Sequence, residues 1–156
     1  MNELYDTFEN GFTLLGATAV EDKLQDLVPE TISALYQAGI NIWVLTGDMQ
    51  NTAINVAYSC NLLNETMTQY IISSDQEEEC TLDLKSATQK LNDNPTQIAA
   101  LVIHGKSLVH VLKKEHEKQF FDFVSKCKIV ICCRVSPLQK GFFFFSFLLS
   151  IFPFHL

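Results

Sequence analysis

A parallel α/β sheet is the fold class this sequence predicts, on three observations. Short apolar runs rich in β-branched side chains recur along the chain. Segments of helical periodicity separate them, and the runs are apolar at consecutive positions, as in strands buried on both faces. The chain has 156 residues, 47% apolar, with 18 Asp and Glu against 11 Lys and Arg and a net charge of -7. That length and composition suit one globular domain and exclude collagen-like or disordered chains. No Lys/Arg-rich stripe is present to neutralise phosphates, so no nucleic acid is expected as a partner.

The elements follow in order. Leu14 to Val20 reads as extended. Val28 to Gln37 reads as a helix, with Pro29 in its first turn, Glu30 at the positive end of the dipole, and Ile32, Leu35 and Tyr36 on one face. Gly39 ends it, and Ile40 to Leu45 is a strand opening through Thr46-Gly47-Asp48 into a helix from about Asn51 to Leu63. Between Asn64 and Pro95 the composition turns polar. It holds a strand-like Gln69 to Ser73, an acidic cluster at Asp75 to Glu79 and a helix-compatible Leu82 to Leu91, and reads as a surface excursion. A second core pair follows, with Ala99 to Ile103 and Ile129 to Val135 as strands and a helix from Lys106 to Leu112 continuing towards Val124.

Cys60, Cys80, Cys127, Cys132 and Cys133 are odd in number and unlike a secreted disulfide framework, so a reducing cytosol is the simpler setting. The polar, acidic start lacks the features of a signal peptide. Asn64-Glu65-Thr66 matches a glycosylation sequon, a triplet short enough to arise by chance. Gly141 to Leu156 hold seven of the twelve Phe and no Asp, Glu, Lys or Arg. This apolar stretch is shorter than the roughly 20 residues of a spanning helix and lacks the charged face of an interfacial anchor. An aberrant or truncated end is the expectation for it.

The chemistry centres on Thr46-Gly47-Asp48, a hydroxyl, a glycine and a carboxylate where a buried strand opens into a helix. In open α/β sheets ligands bind at these carboxyl ends. Glycine admits close backbone approach, free amides at a helix start attract phosphate, and the Thr46 hydroxyl can donate to a phosphoryl oxygen. Asp48 would repel phosphate, so it either accepts from a sugar hydroxyl or caps the helix. Arg134, Ser136 and Lys140 follow the second buried strand. Arg134 and Lys140 either converge on the same crevice as anion ligands or stand as solvated surface cations.

Three other patterns fall away. Gly105-Lys106-Ser107 copies the end of a P-loop, but Ala100 stands where the motif needs glycine. Gly105 then marks a turn, and Ser107 is expected to cap a helix. Adjacent strand residues such as Cys132 and Cys133 point to opposite faces, and the His lack a zinc-site setting, so no metal site is expected. No G-x-S-x-G elbow supports a Ser-His-Asp hydrolase.

Three blocks, Leu15-Gly16-Ala17-Thr18-Ala19-Val20-Glu21-Asp22-Lys23-Leu24-Gln25, Ile42-Trp43-Val44-Leu45-Thr46-Gly47-Asp48 and Cys132-Cys133-Arg134-Val135-Ser136-Pro137-Leu138-Gln139-Lys140, closely resemble the phosphorylation domain of phospholipid-transporting P-type ATPases, the flippases. The resemblance implies an α/β fold of the haloacid-dehalogenase-like Rossmannoid kind. It implies ATP and magnesium as cofactors, phospholipid handled only through the full-length parent, an accessory subunit of that parent, and a place at the cytosolic face of a cellular membrane. It divides the chain into residues 1–14 as the end of a nucleotide domain or linker, 15–140 as a partial phosphorylation domain with the polar excursion at 64–97, and 141–156 as the Phe-rich aberrant or truncated tail.

By motif, Thr46 and Gly47 would contact the transferred phosphoryl group and Asp48 would hold the ribose or organise the loop. Arg134 would assist nucleotide binding, Lys140 would neutralise phosphoryl oxygens, and Asp22 lies in a hinge-like block. The departures matter as much. The family's D-K-T-G block with its phosphorylated aspartate is absent from these residues, as is the G-D-G-x-N-D block that helps hold magnesium. Met49 and Asn51 replace the usual Lys and Glu. The sheet is therefore expected to be incomplete, its central nucleophile strand missing, its edges unpaired and its stability marginal. The alternatives are a non-catalytic product that binds nucleotide or the parent transporter, and a soluble phosphatase of the same fold, for which no D-x-D-x-T nucleophile is present.

Overall fold

The structure, a computed structural model, describes residues 12–19 and 23–151. Asp22 lies outside them. Four strands, β1 (Ile42–Leu45), β2 (Thr68–Ile72), β3 (Ala99–His104) and β4 (Ile129–Cys133), form one sheet in the order β1-β4-β3-β2, every pair parallel. β3 and β4 are the inner pair. Their runs of Val, Ile, Leu and Ala are buried on both faces, the condition that consecutive apolar residues encode.

Alternation sends Leu101, Ile103, Val130 and Cys132 into one apolar cluster and Ala100, Val102, Ile129, Ile131 and Cys133 into another on the opposite face. Cys132 and Cys133 thus diverge as expected, and all five cysteines are free and buried. Burial raises the Cys127 thiol to about 12 and raises Cys132 as well.

Helix α1 (Val28–Gln37) has the bounds that its pattern predicts, with Val28, Ile32 and Tyr36 against the second cluster. Gly39 adopts φ 79, its N–H donating to Tyr36 O while Ile40 N–H donates to Leu35 O. This is the paired closure that a left-handed residue allows. Helix α2 (Gln50–Ser59) ends the same way, with Asn61 at φ 59 and Leu62 N–H donating to Ala57 O. It is therefore shorter than expected, because a left-handed Asn closes it before Leu62 and Leu63, which turn into the core.

Several expectations need correction. The polar stretch 64–97 is no surface excursion. It supplies strand β2 and helix α3 (Glu77–Asp93), whose Cys80, Leu84, Ala87 and Leu91 are buried against the sheet. One apolar residue every three or four positions suffices for a helix covering an edge strand, so the average composition misleads. The helix expected from Lys106 to Leu112 is α4 (Gly105–Val111), but it does not continue towards Val124, where a separate helix α5 (Glu117–Val124) stands. Lys113-Lys114-Glu115-His116 interrupts the apolar face, and the chain turns there through hydrogen bonds from His116 and Glu117 N–H to Lys113 O.

The extended run expected from Leu14 is described as far as Ala19 and joins no strand. Leu14 and Leu15 are 91% and 96% exposed. Helix α6 (Pro137–Ile151) takes in residues 141–151 of the Phe-rich stretch, and Phe143 is fully buried among Trp43, Phe120 and Phe121.

β1 is half-buried throughout and has no neighbour on its outer side among the described residues. Thr46 directs both N–H and C=O towards the β4 side, to Cys132 O and Val135 N–H. By alternation, Trp43 and Leu45 direct their backbone groups outward. Their side chains also line an apolar cleft of about 500 Å³ with Asn41, Phe143, Phe144 and Phe147.

At the opposite edge, Glu77 in the first turn of α3 takes a hydrogen bond from Lys113 Nζ, with His116 Nε2 4.0 Å from the same carboxylate. The Lys113 hydrogen bond above all, helped by the charges of Lys113, His110 and His116, holds the Glu77 carboxyl below its usual range against the opposing desolvation. A carboxyl lowered in the folded state stabilises above its unfolded value, and that stability is lost as pH falls through the folded value. Urea midpoints taken at about pH 6 and about pH 3 should fall further for the wild type than for Glu77→Gln. Parallel profiles would remove the role of this contact.

Candidate functional site

The carboxyl ends of β1 and β4 meet at one corner. The ladder between them continues past the strands, with Thr46 N–H donating to Cys132 O at 2.9 Å, Val135 N–H to Thr46 O at 3.1 Å and Arg134 N–H to Asp48 O at 3.0 Å. Thr46-Gly47-Asp48 and the turn after β4 are thus tied backbone to backbone. Arg134 is exposed and sits at φ 55, a left-handed conformation that costs an ordinary side chain roughly 1–2 kcal/mol. Such strain persists only where the surroundings impose it. Here the Asp48 carbonyl and the tightly packed Gly105 backbone do so.

Within the loop, Thr46 Oγ1 donates to Asp48 Oδ2 at 2.6 Å and accepts from Asp48 N–H at 3.1 Å. The hydroxyl proton is spent on Asp48, so Thr46 must rotate to donate to a ligand. Asp48 does not cap α2. Met49 occupies that position and makes no side-chain cap. Among the described residues the first amides of α2 therefore have neither intrahelical nor side-chain partners. Gly47 is exposed, and a Cβ there would meet nothing within 4 Å, so packing does not require glycine at that point.

Lys140 lies one turn into α6, half-buried, its N–H donating to Ser136 O, and forms no ion pair among the described residues. Arg134 and Lys140 both follow β4 at its carboxyl end, Arg134 in the turn and Lys140 in the first turn of α6.

No protein-family model matches the chain. It is 48% identical over 146 residues to phospholipid-transporting ATPase DRS2 of Saccharomyces cerevisiae, covering 90% of this chain and 11% of that protein. It is 42% identical over 164 residues to phospholipid-transporting ATPase ID of Homo sapiens, covering 88% of this chain and 14% of the relative. Phospholipid-transporting ATPase VB of Homo sapiens is 40% identical over 159 residues, covering 85% and 11%. The chain belongs to the phospholipid-transporting P-type ATPase family. It spans between 11% and 14% of the length of these curated relatives.

This flippase-family chain carries two site-shaping residues that sequence reasoning passed over. Gly105 was expected to mark a turn. It opens α4 so close to the Arg134 carbonyl that a Cβ would lie 2.3 Å from that oxygen. The expected cap of α4, Ser107, is instead buried with Oγ donating to Ser74 O, and His104 caps through its ring. Gln139 is the second, and its signal was present as a Ser-x-x-Gln capping pattern at Ser136.

The flippase family implies magnesium, which prefers an octahedral shell of oxygens including one or two carboxylates. Asp48 is the lone carboxylate of the loop and is already bonded to Thr46. Among the described residues no three His, Cys, Asp or Glu side chains gather. The described residues do not make a magnesium site. No described helix is long and apolar enough to cross a membrane.

Proposed function

We propose that this chain supplies the nucleotide- and phosphoryl-facing side of a flippase phosphorylation domain, on a haloacid-dehalogenase-like sheet that lacks its nucleophile strand. The observation that carries this reading is the backbone pairing of Thr46–Asp48 with Arg134 and Val135 at the carboxyl ends of two parallel strands. Open space over Gly47 and uncapped amides at the start of α2 support it.

In this reading Gly47 lets phosphate approach the backbone, and the Thr46 hydroxyl turns from Asp48 to donate to a phosphoryl oxygen. Asp48 is thereby freed to accept from the ribose. Arg134 offers a planar donor fork to the nucleotide, and Lys140 places a point charge against the phosphoryl oxygens. Electrostatic positioning of this kind is most of what a protein contributes to phosphoryl transfer.

ATP is the ligand. Phospholipid, an accessory subunit and the cytosolic face of a membrane concern the full-length parent. Without a D-K-T-G aspartate among its residues, this stretch does not complete the phosphorylation cycle alone.

Calorimetric titration of the chain with a non-hydrolysable ATP analogue tests the reading. Weak saturable binding is expected, and Lys140→Ala should weaken it roughly tenfold or more, the worth of one hydrogen bond to a charged group. Absence of wild-type binding would overturn the nucleotide assignment, and unchanged affinity in the variant would remove Lys140 from it.

A further inference from the structure

Helix α6 opens with a reciprocal cap. Gln139 N–H donates to Ser136 Oγ at 3.3 Å, and Ser136 N–H donates to Gln139 Oε1 at 2.9 Å. The other end of the same amide leaves the helix, with Nε2 donating to the Gly105 carbonyl at 2.8 Å, 34 residues away in the chain. One partner needs an acceptor and the other a donor, so the amide orientation is fixed by its own bonds. A carboxylate at this position would cap equally well, but only an amide also holds Gly105.

Gly105 opens α4 immediately after β3 and packs its backbone on the Arg134 carbonyl, while Arg134 N–H bonds Asp48 O. Gln139 therefore joins three pieces: the start of α4 just after β3, the strained turn carrying Arg134, and the first turn of the helix carrying Lys140. No other side-chain hydrogen bond ties α6 to α4 or β3 among the described residues.

We propose that Gln139 is a positioning residue. It sets the turn of Arg134 and the helix of Lys140 relative to the Thr46–Asp48 loop, and it acts through those residues without touching ligand. What the aligned cations bind rests on the nucleotide-site reading above, but the alignment does not.

Two variants of the full chain separate capping from alignment. Gln139→Glu keeps the acceptor for Ser136 N–H and loses the donor to Gly105, whereas Gln139→Met loses both and adds no charge. Amide NMR spectra and titration with inorganic pyrophosphate are read side by side with thermal unfolding. Gln139→Glu should unfold near the wild-type temperature, and Gln139→Met below it. In both, the amides of Gly105, Arg134 and Thr46 to Asp48 should shift, and pyrophosphate affinity should fall at least about threefold, as for a displaced binding group.

If Gln139→Met leaves the loop amides and the pyrophosphate affinity at wild-type values, Gln139 merely caps α6 and the proposal is overturned. If the wild type binds no pyrophosphate, the nucleotide reading fails. The positioning role then stands or falls on whether the Arg134 and Thr46–Asp48 amides move.

Discussion

Gly105→Ala is expected to destabilise the protein by about 3 kcal/mol, the upper end for overpacking a filled interior. The added Cβ would lie 2.3 Å from Arg134 O, 2.9 Å from its carbonyl carbon and 3.3 Å from Val135 Cα. All three are backbone atoms, so no rotamer change relieves the clash. The turn cannot retreat freely either, because Arg134 and Val135 N–H are bonded to the loop after β1.

At roughly 2–4 °C per kcal/mol for a chain of this size, the midpoint of thermal unfolding should fall by about 6–12 °C. Gly47→Ala is the matched control, since its Cβ would meet nothing within 4 Å. It should leave the midpoint nearly unchanged. Equal midpoints for wild type and Gly105→Ala would mean that the two backbones do not meet in solution.

A comparable loss is expected from Phe143→Ala. Phe143 is 1% exposed, with its ring 5.6 Å from Trp43 and 6.2 Å from both Phe120 and Phe121, centroid to centroid. Emptying such a site costs roughly 3–5 kcal/mol through lost burial and the cavity left behind. Against a typical total of about 5–15 kcal/mol, that brings a domain with an open sheet edge close to unfolding. Phe142→Ala, one residue earlier and 58% exposed, should change the urea midpoint little. Identical midpoints for the two variants would show that the Phe-rich helix does not pack on the sheet.

The inner sheet was legible because β3 from Ala99 to Ile103 and β4 throughout are apolar at consecutive positions, as strands buried on both faces are. α1 was equally legible, since Pro29, the 3.6-residue apolar spacing and Gly39 mark its start, face and end. β2 and α3 were legible as elements, in the strand-like Gln69 to Ser73 and the helix-compatible Leu82 to Leu91, but their place in the core was hidden by local averaging. Tyr70, Ile72, Leu84 and Leu91 reach the core from a background of Glu, Asp, Asn and Gln, and burial is decided by the face rather than the mean.

At the site, strand-turn-helix order foretold that Thr46–Asp48 and Arg134 would lie at carboxyl ends. Their shared corner depends on β4 lying beside β1, which no local pattern encodes. Gln139 was half legible. Its spacing from Ser136 signals a cap, but the bond to Gly105 joins residues far apart in the chain and exists only once β3 and α6 have met.

Trp43 is the only tryptophan in the chain, and it occupies the seam between the open side of β1 and the Phe-rich helix, 4.1 Å from Phe147 by ring centroid. Its indole emission therefore arises from one place alone. A polypeptide laid along that border, or a helix peeling from it, would change the colour and quenching of this single fluorophore, so both events can be followed optically in the unlabelled protein.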